Sequence, residues 1–224
     1  MDALEVATFS RSQNEGRSVF LTRVYALFIA SLFAAAGGVW LGMGSETVAA
    51  NHGPFVLFEF FLLFMALAVR KTPVLNLFAL LAFCGVGGVT LSPLFGMIID
   101  AGQGALLLNT FALTIALFSA LSAYVFFTRK DFSFLGSFLF FSLWILIFYG
   151  FYGILVPESM SWAFYHGSGL MVFSGFMLYD TSQILLHCPD DEYVCAAIDL
   201  YLNFVNMFLD ILGLLDHVGL DIDI

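Results

Sequence analysis

Charge is what this chain of 224 residues lacks. Asp, Glu, Lys and Arg together make up 11% of it, and Lys plus Arg number only 7. A soluble domain carries about 25% charged residues, and one of this size must still cover its core with polar surface. A soluble enzyme is therefore excluded. A disordered chain is excluded too, because 61% of the residues are hydrophobic. Cysteine is equally scarce. Cys84, Cys188 and Cys195 form no CxxC and no even-numbered framework, which rules out a secreted disulfide scaffold and gives neither a metal nor a disulfide a foothold. With 17 acidic residues against 7 basic ones the net charge is −10, so nucleic acid is no partner.

What remains is apolar. The mean hydropathy is +0.98, the value of a chain whose main solvent is lipid. A spanning helix needs roughly 20 mostly apolar residues. Seven such runs are predicted, at about 24–44, 54–70, 74–98, 104–127, 133–156, 162–186 and 193–215. Pro73, Pro157 and Pro189 stand in the short breaks between them. The fold class is thus all-α, an integral membrane bundle of seven helices. It is framed by a polar segment over 1–23, expected to be cytoplasmic and disordered, and a short acidic tail over 216–224. The N-terminal segment lacks the apolar core and small-residue site of a cleaved signal peptide.

Lys and Arg set the orientation. Arg11, Arg17 and Arg23 precede the first span, Arg70 and Lys71 follow the second, and Arg129 and Lys130 follow the fourth. With seven alternating spans all 7 basic residues fall on one side. The N-terminus is expected in the cytoplasm and the C-terminus outside.

An ionisable residue deep in a span costs at least about 2.5–3.5 kcal/mol on insertion scales, so it needs a partner or a wet cavity. Glu59 lies in the second span, Asp180 in the sixth, Asp199 and Asp210 in the seventh. Asp210, near the outer end, reads as an ordinary interfacial residue. In the seventh span the polar residues Asp199, Asn203, Asn206 and Asp210 recur at steps of four, three and four, which places them on one helix face. Leu200, Leu202, Val205, Leu209 and Leu212 occupy the other. Asparagines alone would make a hydrogen-bonded seam between helices. Two carboxylates in the same stripe favour a path for cations or protons, and the seventh helix is expected to be the least exposed to lipid.

The sixth and seventh spans form a hairpin around residues 187–192. Asp180 and Asp199 each lie about six residues from that turn, roughly 10 Å into the membrane at 1.5 Å per residue. Two carboxylates at one depth on adjacent helices cannot both ionise cheaply, so the pair is expected to share a proton. His166 and His187 fall near the face of Asp180 and read as plain interfacial histidines. In the second span Glu59 and Arg70 are three turns apart, on one face. Arg70 either snorkels to headgroups or reaches inward to hold Asp180 or Asp199. The Gly37-Gly38 and Gly85, Gly87-Gly88 clusters are expected to let helices approach closely.

The run Leu178-Tyr179-Asp180-Thr181-Ser182-Gln183-Ile184 and the stretch from Tyr193 to Asn206 resemble the signatures of the Bax inhibitor-1 (transmembrane Bax inhibitor motif) family. The resemblance extends to the span number, the short polar N-terminus and the Glu59-to-Arg70 spacing. It implies seven helices with the seventh central, and a pH-sensitive calcium leak with no resident cofactor, Ca²⁺ being the transported ion. The family's gating aspartates match Asp180 and Asp199, which would also meet the Ca²⁺. Its second-helix acid and arginine match Glu59 and Arg70. The chain ends Gly219-Leu220-Asp221-Ile222-Asp223-Ile224 rather than in a basic tail, so it resembles the bacterial branch, which implies an inner membrane. Cys195 and Asp210 depart from the family pattern.

Three functions compete on these residues. The first is a proton-gated cation leak with an ion path of Glu59, Asn203, Asn206 and Asp210 and a gate of Asp180, Asp199 and Arg70. The second is a regulatory protein that binds a membrane protease or acts on a cell-death pathway. The third, an intramembrane aspartyl protease, lacks its Gly-x-Gly-Asp motif, because Ala197-Ile198 precedes Asp199. No enzyme is expected. A retinal protein is excluded, since the seventh span holds no lysine for a Schiff base.

Overall fold

The computed structural model describes the backbone of residues 3–69, 72 and 74–218, and side chains within 16–69, 72 and 74–217. The described residues form eight α-helices and no strand. In chain order they are α1 (Ala3–Gly42), α2 (Glu46–Ala50), α3 (His52–Ala68), α4 (Leu75–Asp100), α5 (Gly104–Thr128), α6 (Gly136–Leu155), α7 (Trp162–Leu186) and α8 (Tyr193–Val218), with 3₁₀ turns at Ser133–Leu135 and Pro157–Ser159. Six helices are long and apolar enough to cross a membrane, and α3, with 17 residues, stands at the short end of spanning length. The protein is a multi-pass membrane bundle.

One expectation is corrected at the N-terminus. The polar segment 1–23 was read as disordered, yet α1 runs unbroken from Ala3. A polar stretch continuous with an apolar helix inherits its nucleus, and extending a formed helix is far cheaper than starting one. The break at Gly44-Ser45-Glu46 holds an unforeseen short helix. Gly44 adopts a positive φ of 72°, and the Ser45 hydroxyl caps α2 by accepting from the Val48 amide at 3.4 Å.

The chain divides into two compact units. One comprises the residues up to Pro93 with 188–198, the other 94–187 with the residues from Asp199 onward. In the first unit α1 and α4 meet backbone to backbone. A Cβ on Gly38 would collide with the Gly85 carbonyl, one on Gly88 with the Ala35 carbonyl, and one on Gly42 with the Ser92 side chain. This bears out the close approach expected of these clusters at Gly38 and Gly88, whereas a Cβ on Gly85 would make only ordinary contact with the Ala34 carbonyl and one on Gly37 would meet nothing. In the second unit α7 packs along α5 and α6. Phe208, Ile211, Leu212 and Leu215 of α8 bury against Leu106 and Leu107 of α5, and the Phe111 and Phe208 rings lie 4.5 Å apart.

The helix α8 is the most buried of the six long spans, with 61% of its apolar window covered against 17–33% for the others. Leu200, on its expected apolar face, is fully buried, but so are Ala197 and Met207. Burial extends around the helix rather than along one stripe.

Candidate functional site

The site begins at the turn that joins α7 to α8. His187 closes α7 by donating its amide to the Gln183 carbonyl at 2.8 Å. The Glu192 amide then bonds the Pro189 carbonyl at 3.0 Å, and α8 starts. Arg17 fastens this turn, donating to the Cys188 carbonyl at 2.6 Å and to Asp190 Oδ1 at 3.1 Å. Its guanidinium also lies over the Phe20 ring. Sequence reading used Arg17 only for orientation.

In the second unit Asn203 Nδ2 of α8 donates to Asp180 Oδ2 of α7 at 2.7 Å. Asn203 is buried and Asp180 half-buried. This polar contact joins the two helices at Asn203, one turn beyond Asp199 on the expected polar face. Asp199 is exposed, although Ala197, Ile198 and Leu200 beside it are buried. Asn206 turns back on its own helix and donates to the Leu202 carbonyl at 2.7 Å.

Asp210 is 6% exposed, so it is no ordinary interfacial residue. Its Oδ1 lies 3.1 Å from His166 Nδ1 of α7. The other singled-out histidine, His187, has its Nε2 2.9 Å from Asp131 Oδ2. Neither is a plain interfacial residue.

Asp131 organises the connection before α6. Its Oδ1 accepts from the Ser133 amide at 2.8 Å and from the Ser133 hydroxyl. Gln183 Nε2 donates to the Ser133 hydroxyl at 2.6 Å, and the Phe132 amide donates to the Ser182 hydroxyl at 3.1 Å. The hydrogen bonds from Ser133, with a smaller share from His187, lower the Asp131 pKa from 3.8 to about 2. Sequence reading missed this knot. Asp131-x-Ser133, an aspartate two residues before a hydroxyl in a loop, was its signal.

Glu59, on α3 in the first unit, is half-buried and within hydrogen-bonding reach of Thr90 on α4. The exposed His52 ring approaches the Thr90 carbonyl at 3.1 Å. Arg70 and the tail from Gly219 lie outside the described residues.

A polar seam on the most buried helix of a multi-pass membrane bundle defines the class. Comparison with known proteins then places the chain within it. The family model described as inhibitor of apoptosis-promoting Bax1 matches residues 17–219. A relative described as Bax inhibitor 1, from Schizosaccharomyces pombe, is 33% identical over 210 residues, 89% of this chain and 76% of its own. A Golgi anti-apoptotic protein of vaccinia virus is 33% identical over 207 residues, covering 89% and 86%. A Helicobacter pylori protein described as uncharacterized is 32% identical over 198 residues, covering 88% and 85%. The chain belongs to the Bax inhibitor-1 family.

Proposed function

We propose that this protein is a pH-sensitive passive leak for Ca²⁺. The observation that carries the reading is the Asp180–Asn203 contact, an ionisable group bonded across α7 and α8 inside the apolar spans. A carboxylate there is costly and marks a wet or proton-accepting path. Carboxylate and amide oxygens are hard ligands suited to Ca²⁺. Asp180 and Asp199 gate the path, Asn203, Asn206 and Asp210 continue it along α8, and Glu59 contributes from α3. Arg70 binds the ionised aspartates and latches the cytoplasmic end, and protonation weakens the latch and shifts the population toward an open state. Ca²⁺ is cargo, no cofactor is resident, and no chemistry is catalysed.

The N-terminus lies in the cytoplasm and the C-terminus outside, in a bacterial inner membrane. The bonds of Arg17 to the α7–α8 turn support this orientation, since seven alternating spans put the start of α1 and that turn on one side. The bond between Asp131 and His187 supports it likewise for the α5–α6 and α7–α8 connections.

The alternative is a regulatory protein that acts on a membrane protease or a cell-death pathway by binding. The names of the yeast and viral relatives, Bax inhibitor 1 and Golgi anti-apoptotic protein, favour it. Liposomes holding only this protein separate the two. The leak reading expects Ca²⁺ flux and no chloride flux, with Ca²⁺ flux lost in the double variant Asp180→Asn, Asp199→Asn. It expects Arg70→Ala to raise flux at high pH, by roughly tenfold for a latch worth about 1.4 kcal/mol, and to flatten the pH profile. Chloride permeation, or no flux at any pH, ends it. An unchanged profile in Arg70→Ala means that the arginine only snorkels.

A further inference from the structure

The leak reading gives Asp210 a place on the path and gives His166 none, yet the two are built for each other. Gly169 follows His166 by three residues on α7, and a Cβ there would run into the Asp210 carboxylate. Gly213 follows Asp210 by three residues on α8, and a Cβ there would run into the His166 ring. Each helix supplies one functional group and, one turn later, the gap that admits the other's.

The pairing leaves something open. Asp210 Oδ2 is buried and has no hydrogen-bond partner among the described residues. The Asp210 side chain is only 9% exposed. A carboxylate used merely to pin two helices is expected to have both oxygens satisfied, because an unpaired buried oxygen loses its hydration for nothing. An open carboxylate oxygen beside an imidazole is instead an acceptor for a proton. Trp162 stacks on the His166 ring at 6.3 Å, and Tyr165 meets it edge-on at 5.2 Å. Tyr149 of α6 touches Tyr165 at 6.2 Å. Among the described contacts Tyr165 is the other ionisable group that faces the pair, with Tyr149 behind it. Asp216 and His217, further along α8, are exposed.

We propose that His166 and Asp210 form a proton-binding site between α7 and α8, at the opposite end of the pair from Asp180. It takes up one proton from the aqueous phase beside the α6–α7 connection. With a neutral ring and an ionised carboxylate the site carries one negative charge. The incoming proton resides on Oδ2 or on the imidazole and brings the site to net neutrality, with no other bond made or broken. This site stands apart from the Asp180 contact, whichever function that contact serves.

Trp162 supplies a reporter, since a charged imidazole stacked on an indole quenches its emission. The full chain is placed in lipid nanodiscs in a Trp40→Phe, Trp144→Phe background, which removes the other tryptophans at exposed positions. Emission is titrated from about pH 5 to 8, the range in which histidine changes charge. One step is expected. His166→Gln should abolish it, and Asp210→Asn should displace it by roughly half a pH unit or more. Gly213→Ala, which presses on the ring and alters neither ionisable group, should displace it as well, and keeps the test open if Asp210→Asn fails to fold. His187→Gln should leave it in place. A flat titration in the parent, a step that survives His166→Gln, or a step unmoved by both Asp210→Asn and Gly213→Ala overturns the proposal. No ion flux is read, so the leak and the proton site fail separately.

Discussion

The helices α6 and α8 have similar lengths and opposite uses. The span containing α6 is the most apolar of the six long spans and the least buried, with 17% of its window covered. Its Phe141, Ile145 and Phe148 are about two-thirds exposed. The helix α8 carries Asp199, Asn203, Asn206 and Asp210 and is 61% covered. A soluble protein would sort these helices the other way. In lipid there is no hydrophobic drive to hide a phenylalanine, while an amide or carboxylate facing acyl chains has no partner. Polarity therefore marks the protein interior, and long apolar faces mark its outer surface.

Truncations on the two helices should break or sharpen this contrast most. Leu200 of α8 is fully buried, while Ile145 of α6 is 68% exposed. Leu200→Ala should cost about 2–4 kcal/mol of folding stability, the transfer and cavity cost of a core leucine. Ile145→Ala should cost under about 0.5 kcal/mol, because lipid flows into the space and no cavity forms. Reversible unfolding in mixed micelles measures both. Equal losses would mean that α6 is covered by protein in the folded assembly.

Legibility in the sequence follows the same line. From the second run onward the spans were readable to within a few residues because length and apolarity are set by the membrane, whereas α1 begins at Ala3, well before the run predicted at 24–44. The period of the α8 stripe located Asn203 as well as the acids. The seventh helix was expected to be the least exposed to lipid, and α8 is the most buried of the long spans. The stripe alone did not show that its apolar face is covered as well, because a periodicity marks where polar groups lie and not how many neighbours an apolar face has. The partners were harder. Asn203 bonds Asp180 and His166 meets Asp210, each across two helices. Such pairings depend on the offset between helices, which turn length and packing set and single-helix periodicity does not record. The knot of Asp131, Ser133, Gln183 and His187 joins residues up to 56 apart in the chain, and only its Asp-x-Ser element is local.

A smaller effect distinguishes residues within α8 itself. Asn203 bonds across to Asp180, while Asn206 bonds its own helix at the Leu202 carbonyl. Asn203→Ala removes the donor from Asp180 and should cost about 1–3 kcal/mol, the penalty for stripping a buried polar group of its partner. Asn206→Ala removes a side chain whose bond the helix does not need and should cost less than about 0.5 kcal/mol. Comparable losses at both positions would show that α8 is held by its asparagines generally and not by the one contact with α7.

The smallest effect lies outside the spans, where Asp131 is open to water and its bonds are screened. Its pKa is lowered from 3.8 to about 2, first by the Ser133 hydroxyl and amide and then by His187. A carboxyl whose folded pKa is depressed contributes its stabilisation above the unfolded value and loses it as pH falls through the folded one. The knot should therefore hold at every pH above 3.8 and come apart as pH falls through about 2. The amide proton shift of Ser133, whose nitrogen lies 2.8 Å from Asp131 Oδ1, reports this directly. It should titrate with a midpoint of about 2 in the parent and show no step in Asp131→Asn. In His187→Gln the midpoint should rise but stay below 3.8, because Ser133 supplies the larger share. A parent midpoint at 3.8 would mean that the Ser133 and His187 bonds to Asp131 do not form in solution and that this end of α7 rests on the Phe132–Ser182 and Gln183–Ser133 bonds.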